Sequence, residues 1–126
     1  MPEQLLLSDP AKRDILAIVR WSLTHFGAEA ALRYEDLMVE AFRDLRADSA
    51  PPGSKERPDL MVPGARTYHL YFSRNHVTGD TVKGPRHFLV YRTRQDGIIE
   101  VARVLHDSCD LEQHLPIEYK AKTNWK

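Results

Sequence analysis

The sequence contains a single cysteine, and this scarcity already excludes several kinds of protein. Cys109 is the one cysteine among 126 residues, so no disulfide can form within the chain. A lone thiol also excludes the zinc sites that are built from several cysteines. The sequence therefore predicts a protein of a reducing compartment, and the cytoplasm is the expected location.

Long apolar runs and recognisable cofactor motifs are missing as well. No apolar run approaches the roughly 18 residues that a membrane helix needs, so no membrane partner is expected. There is no glycine-rich phosphate loop and no G-x-S-x-G motif, and His106, Asp110 and His114 match no zinc spacing. Neither a cofactor nor a metal is therefore expected. The composition, 42% hydrophobic and 29% charged, predicts one soluble globular domain over residues 1–126.

The formal net charge is zero, but the charges are segregated along the chain. Residues 28–48 carry six acidic residues and three arginines. Residues 66–94 carry five arginines and one lysine but only one acidic residue, Asp80. This asymmetry suggests an anionic partner for the basic half, unless the two halves simply attract each other.

Two long helices, preceded by a short strand at residues 3–7, are predicted in the N-terminal half. Asp9 is placed to cap the first helix and Pro10 to occupy its first turn. Spacings of three and four residues define an apolar face on each helix, and Gly27 separates the two. The first face comprises Ile15, Ile18, Val19, Ser22 and Phe26, and the second comprises Tyr34, Leu37, Met38, Ala41, Phe42 and Leu45.

Three strands and a short helix are predicted after the proline-rich loop at residues 49–65. The strands cover residues 66–74, 87–94 and 98–106, and the helix covers residues 111–115. A two-residue turn at Asp96-Gly97 would pair Arg94 with Ile99 and Val90 with Arg103. The expected fold is α+β: an N-terminal strand, a long helix hairpin, an antiparallel three-strand meander and a short C-terminal helix.

The predicted meander has two largely apolar faces. In the predicted register, one face holds Phe88, Val90, Ile99, Val101 and Leu105, and the other holds Leu89, Tyr91, Ala102 and Val104. A helix hairpin can cover only one face, so the other predicts a partner-binding surface. The alternative is that the loop at residues 49–65 or the C-terminal tail covers the second face.

In this order, four segments resemble the ParE toxins of the RelE/ParE toxin–antitoxin superfamily, over about residues 4–115. They are "SDPAKRDILAIVRWSLTHFG", "GARTYHL", "RHFLVYR" and "GIIEVARVLHDSCDLEQHL". The resemblance implies a non-enzymatic toxin that acts on DNA gyrase and is neutralised by a ParD-like antitoxin, which alone contacts operator DNA. Two alternatives stay open: a ribosome-dependent messenger RNA endoribonuclease of the RelE type, and a non-toxic relative that only binds its antitoxin.

The ribonuclease hypothesis and the antitoxin-bound toxin hypothesis predict different site residues. A ribonuclease would use Arg66, Arg103 and His106 as phosphate clamps and acid–base group. The resemblance implies an antitoxin segment lying between the helices and the sheet, where it would contact aromatic and arginine anchors. These anchors are Trp21, Phe42, Arg66, Tyr68 and Arg103, although Arg103 could instead pair with Asp14 or Glu40.

The C-terminal residues 116–126 allow two different predictions. Residues 116–126 are predicted to be a flexible tail, but exposed aromatics beside lysines also suit a contact arm. Tyr119, Lys120 and Trp125 are the candidate target contacts in that arm.

Overall fold

A helix hairpin lies against one face of a five-stranded sheet in the computed structural model, which describes residues 4–60 and 62–108. The elements are β1 (Leu5–Leu7), α1 (Asp9–Phe26), α2 (Ala28–Ala47), β2 (Lys55–Glu56), β3 (Arg66–His69), β4 (His87–Thr93) and β5 (Ile99–His106). The predicted α+β order is confirmed over this part of the chain. The predicted helix at residues 111–115 lies outside it, and no helix inside it is long and apolar enough to cross a membrane.

Ser8, not Asp9, caps α1. The Ser8 hydroxyl accepts a hydrogen bond from the Ala11 N–H at 3.0 Å and donates one to the Ala102 carbonyl at 2.6 Å. Asp9 is the first helical residue, so the prediction that it caps the helix was wrong by one position. Ser8 is the better cap because the same hydroxyl fastens the start of α1 to β5.

The helix hairpin follows the predicted apolar spacing, with one exception. Gly27 ends α1 with a positive φ of 91°, and its N–H donates to the Leu23 carbonyl. On α2, all six predicted residues are buried in the core or packed against it. Phe26 of α1 is 66% exposed instead of buried, and it is the last residue of the helix.

The strand order is β1-β5-β4-β3-β2, with β1 parallel to β5 and every other neighbouring pair antiparallel. The two-residue strand β2 was not predicted. The prediction of one strand over residues 66–74 was wrong beyond His69, where a 3₁₀-helix (Leu70–Ser73) begins. The His69 ring explains the change, since its Nδ1 accepts the Tyr71 N–H at 3.0 Å and caps this turn.

The hairpin between β4 and β5 has a three-residue turn, so the predicted two-residue turn was wrong. The Arg94 N–H donates to the Ile98 carbonyl at 2.8 Å, and Gly97 has a φ of 87°. Near the turn Tyr91 faces Val101, whereas Val90 still faces Arg103 as predicted. The extra residue between these pairs is a β-bulge, which turns the side chains that precede it in β5 toward the helices.

Each face of the sheet carries its own apolar cluster. The helix-facing cluster includes Tyr68, Leu89, Tyr91, Ile99, Val101 and Val104. On the other face, Leu60, Val62 and Ala65 of the proline-rich loop pack with Val90, Ala102 and Leu105. The prediction of a bare second face was therefore wrong, and the alternative in which the 49–65 loop covers it is confirmed.

Candidate partner-binding groove

A groove of about 980 Å³ lies between the helix hairpin and the segment that precedes β4. α1 contributes one wall, α2 contributes the adjoining wall, and residues 80–84 form the opposite side. The ends of β4 and β5 close the groove with His87 and His106. It is thus built from four parts of the fold and exists only in the tertiary structure.

Exposed aromatic side chains form the α1 wall. Trp21 is 55% exposed and Phe26 is 66% exposed. The Trp21 ring stacks on His25 at a centroid distance of 4.2 Å and meets Phe26 edge-on at 5.4 Å. Large aromatic rings left in water beside an apolar groove are typical of binding sites, because covering them releases ordered water.

The inner end of the groove is a hydrogen-bonded tyrosine–histidine pair. The Tyr34 hydroxyl accepts the Arg86 N–H at 3.0 Å and shares a hydrogen bond of 2.6 Å with His87 Nδ1. Burial raises the pKa of Tyr34 to about 12. Burial, with His106 beside it, lowers the pKa of His87 to about 4. Both groups are neutral at pH 7, which makes the pair a structural link and a poor acid–base device.

His106 and Asp107 end β5 beside this pair. The His106 ring meets the His87 ring edge-on at 5.4 Å, and its Nδ1 accepts from the Ser108 hydroxyl at 2.8 Å. The Asp107 carboxylate accepts three hydrogen bonds from the Arg86 guanidinium, in which Nε donates to both oxygens and Nη2 to one, and it accepts one from His69 Nε2. The Arg86 hydrogen bonds lower the pKa of Asp107 to about 2. These contacts join the ends of β3, β4 and β5 at one corner of the sheet.

Arg103 pairs with Asp14 of α1. Pairing with an acid of the helices was one of the two alternatives predicted for this arginine. Its Nε and Nη2 donate to the two Asp14 carboxylate oxygens at 2.6 and 2.8 Å. The same carboxylate accepts the Val104 N–H at 2.9 Å, and both charged side chains are mostly buried. This arrangement fastens α1 to β5 and accounts for an arginine in the middle of an apolar strand.

The three residues of the ribonuclease reading do not meet at one point. Arg66 donates to the Ser54 hydroxyl at 2.7 Å and pairs with Glu56 at 3.5 Å. Its β3 position faces Tyr91 on β4, whereas His106 faces His87, four residues further along β4. Four strand residues separate these two backbone positions by about 13 Å, and the Arg66 guanidinium is held at Ser54, so the structure does not bring Arg66 and His106 together.

The predicted antitoxin contacts are dispersed through the structure. Trp21 lines the groove, whereas Phe42 is half-buried against the helix-facing core. Tyr68 is 2% exposed and shares a hydrogen bond with Ser73, so it is a core residue and its assignment as a surface contact was wrong. The predicted target contacts Tyr119, Lys120 and Trp125 lie outside the described residues.

The sequence analysis did not predict several of the groove residues. Phe26 had been placed in the buried stripe, and Arg33 and Lys83 were counted only in the charge totals. The signal that could have found Phe26 is its position directly before Gly27, since an aromatic in the last turn of a helix has less of the sheet beneath it. Among the described residues, no group of three His, Cys, Asp or Glu side chains could hold a metal ion.

Comparison with known proteins found a matching family model and a solved structure of similar fold. A family model described as "ParE toxin of type II toxin-antitoxin system, parDE" matches residues 5–111. A solved chain of the chromosomal ParDE TA system from P. aeruginosa matches with a TM-score of 0.61 and 20% identity, covering 82% of this chain and 95% of that chain. At this identity the likeness shows a common fold. A search of the curated proteins found no match.

Proposed function

The chain belongs to the ParE toxin family of type II toxin–antitoxin systems, and from this premise we propose that it inhibits DNA gyrase and is neutralised by a ParD-like antitoxin bound in the groove. The family match over residues 5–111 carries the proposal. The toxin would act in the cytoplasm, where gyrase and its DNA substrate are found.

The groove supports the antitoxin part of this proposal. A folding antitoxin segment needs apolar anchors to offset the entropy that it loses on binding. Trp21 and Phe26 offer such anchors, since both are more than half exposed on one wall of the groove. Aromatic contacts of this kind commonly dominate binding energy in protein interfaces.

The chemistry at the inner end of the groove supports a non-enzymatic toxin. Cleavage of RNA at a 2′-hydroxyl needs a base, an acid and cations that act on one phosphate. Tyr34 and His87 are neutral at pH 7 and hydrogen-bonded to each other, while Arg103 is held by Asp14 and Arg66 lies by Ser54. We therefore favour inhibition by binding over catalysis.

The test is to assay the purified toxin against both targets. We expect it to trap gyrase–DNA cleavage complexes in a supercoiling reaction and to leave ribosome-bound messenger RNA intact. Adding the antitoxin encoded beside the toxin gene should abolish trapping. In cells, induction of the toxin alone should raise the DNA damage response before any change in transcript levels.

His106→Ala separates the two mechanisms. If the protein inhibits gyrase by binding, this variant should keep its trapping activity, because no proton transfer by His106 is then involved. Transcripts cleaved in the ribosome assay by the wild type and not by His106→Ala would establish the ribonuclease alternative. Antitoxin binding without either toxic effect would identify a non-toxic relative.

A further inference from the structure

The helix hairpin carries a second apolar surface, which is exposed to solvent. Leu16 and Leu23 of α1 are 48% and 51% exposed, and Leu32 and Val39 of α2 are 59% and 42% exposed. Each pair is spaced by seven positions, and residues seven apart in a helix lie within about 20° of each other. The four side chains therefore form one stripe along each helix, and we call this surface the outer face of the hairpin.

The outer face is separate from the core and from the groove. Leu23 follows the groove residue Trp21 by two positions, and Val39 follows the buried Leu37 by two positions. Two positions turn a helix by about 200°, so each outer-face side chain points nearly opposite to that neighbour. In the described part of the chain, no outer-face residue lines the groove or belongs to either apolar cluster. A partner bound to this face would leave the groove open.

The two stripes are aligned across the hairpin because both helices start from Gly27. Leu23 and Leu32 are four and five positions from this glycine, and Leu16 and Val39 are eleven and twelve positions from it. With a rise of about 1.5 Å per residue, each pair lies at one level of the hairpin. The outer face thus has two apolar levels, about 10 Å apart along the helices.

Exposed charges of opposite sign lie between the two apolar levels. Arg20 of α1 is seven positions before Gly27, and Glu35 and Asp36 of α2 are eight and nine positions after it. Within residues 4–60 and 62–108, none of these three charged side chains forms an ion pair. At this level α1 is therefore basic and α2 is acidic.

We infer that a second copy of this chain covers the outer face, in a two-fold dimer whose four helices form an antiparallel bundle. A two-fold axis parallel to the helices keeps every level and lays α1 of one protomer over α2 of its partner. Leu23 of one protomer then meets Leu32 of its partner, and Leu16 meets Val39. The inference goes beyond the proposed function and does not depend on it.

The charges select this arrangement over the other two-fold dimer. In the inferred dimer, Arg20 of one protomer lies opposite Glu35 and Asp36 of its partner, and symmetry repeats the contact. An axis that crosses the helices would instead lay α1 over α1 and bring the two copies of Arg20 together, which like-charge repulsion disfavours. The pattern on the hairpin is thus complementary to itself in one orientation.

The size of the outer face predicts a weak dimer. Two helices side by side are about 20 Å wide, and the 18 residues of α1 span about 27 Å. A face of this size covers on the order of 500 Å² on each protomer, near the lower limit for a specific interface. We therefore expect a dissociation constant on the order of micromolar.

Sedimentation equilibrium of the full-length chain, at concentrations from about 0.1 to 100 μM, tests the inference. The wild type should change from monomer to dimer in this range. Arg20→Glu should raise the dissociation constant at least roughly tenfold, because the change acts at both symmetric contacts. Lys55→Glu is the matched control: it makes the same charge change at an exposed residue of β2 and should dimerise as the wild type does.

Two further variants test the pairing. Arg20→Glu/Glu35→Arg/Asp36→Arg exchanges the charges between the helices and should restore most of the dimerisation that Arg20→Glu loses. Leu23→Gln/Leu32→Gln removes one apolar level and should also raise the dissociation constant at least roughly tenfold. All these positions are exposed, and far-UV circular dichroism verifies that each variant is folded.

Four results would overturn the inference. A wild type that stays monomeric at every concentration would show that no second copy binds. A dimer that none of the variants weakens uses another surface. A dimer weakened by Leu23→Gln/Leu32→Gln but not by Arg20→Glu would place α1 over α1. Loss of antitoxin binding in folded Leu23→Gln/Leu32→Gln would assign the outer face to the antitoxin.

Discussion

His87 is a half-buried imidazole whose neutral form is held in place by its neighbours. Its Nδ1 shares a hydrogen bond of 2.6 Å with the Tyr34 hydroxyl, and burial lowers its pKa from 6.5 to about 4. The groups that act on its charge are His106, Asp107, His69 and Asp14. Because the unfolded chain accepts this proton first as pH falls, the contribution of His87 to stability is complete above pH 6.5 and is lost toward pH 4.

His87→Gln should therefore flatten the pH dependence of stability. Glutamine can still form a hydrogen bond with the Tyr34 hydroxyl but cannot be protonated. We expect the melting temperature of this variant to fall less steeply than that of the wild type between pH 6.5 and pH 4. Thermal denaturation followed by circular dichroism measures this slope. An unchanged slope in His87→Gln would contradict the assignment.

The loop between α2 and β3 depends on a close approach that only glycine permits. Gly53 has a φ of 96°, and a Cβ atom built there would lie 2.5 Å from the Phe72 ring. Gly79 has a similar φ of 92°, but a Cβ there would meet nothing within 4 Å. Because Gly53 and Gly79 have nearly the same φ, comparing alanine substitutions at the two positions separates the cost of backbone strain from the cost of the steric contact.

Gly53→Ala should destabilise the protein more than Gly79→Ala does. The Gly79 change should cost about 1 kcal/mol through its positive φ alone. The Gly53 change adds displacement of Phe72, a further cost of about 1–3 kcal/mol for overpacking. Urea unfolding of both variants gives the difference. Equal free energies of unfolding would show that Phe72 moves aside without cost.

At the scale of the whole molecule, folding and partner binding are linked through the groove. The sheet is covered on both faces, so a bare sheet face no longer explains why the toxin would need a partner. The exposed aromatic side chains of α1 remain available to a partner. A ligand that binds only the folded form stabilises it by about 2.7 kcal/mol at 100 times its Kd.

Antitoxin in that excess should raise the melting temperature of the toxin by roughly 10 °C. Trp21→Ala should remove much of this rise while changing the melting temperature of the free toxin little, since the side chain is 55% exposed. Leu16→Ala is the control: it is 48% exposed on the same helix and does not line the groove, so the full rise should remain. A large fall in the free toxin's melting temperature with Trp21→Ala would make Trp21 structural.

Local patterns were sufficient for the helix hairpin and for the family. The spacing of apolar residues located both helices, and Gly27 marked the break between them. The order of the motifs led to the ParE family, which the match over residues 5–111 confirms. Asp14 was among the acids proposed for Arg103, because a buried arginine needs one. These features depend on residues close in sequence or on general charge rules.

Contacts between segments far apart in the chain decided the sheet register and the lining of the groove. The three-residue turn and the bulge near Ala102 set which side chains of β5 face the helices, and no local pattern fixes such a register. Packing of Leu60 and Val62 on the second sheet face, and the gathering of Trp21, Arg33 and Lys83 around one groove, join segments far apart in the chain. The sequence thus determined the two long helices and the family, while the tertiary structure decided the sheet register and the surface, because burial and the pairing of charges depend on neighbours that only folding brings together.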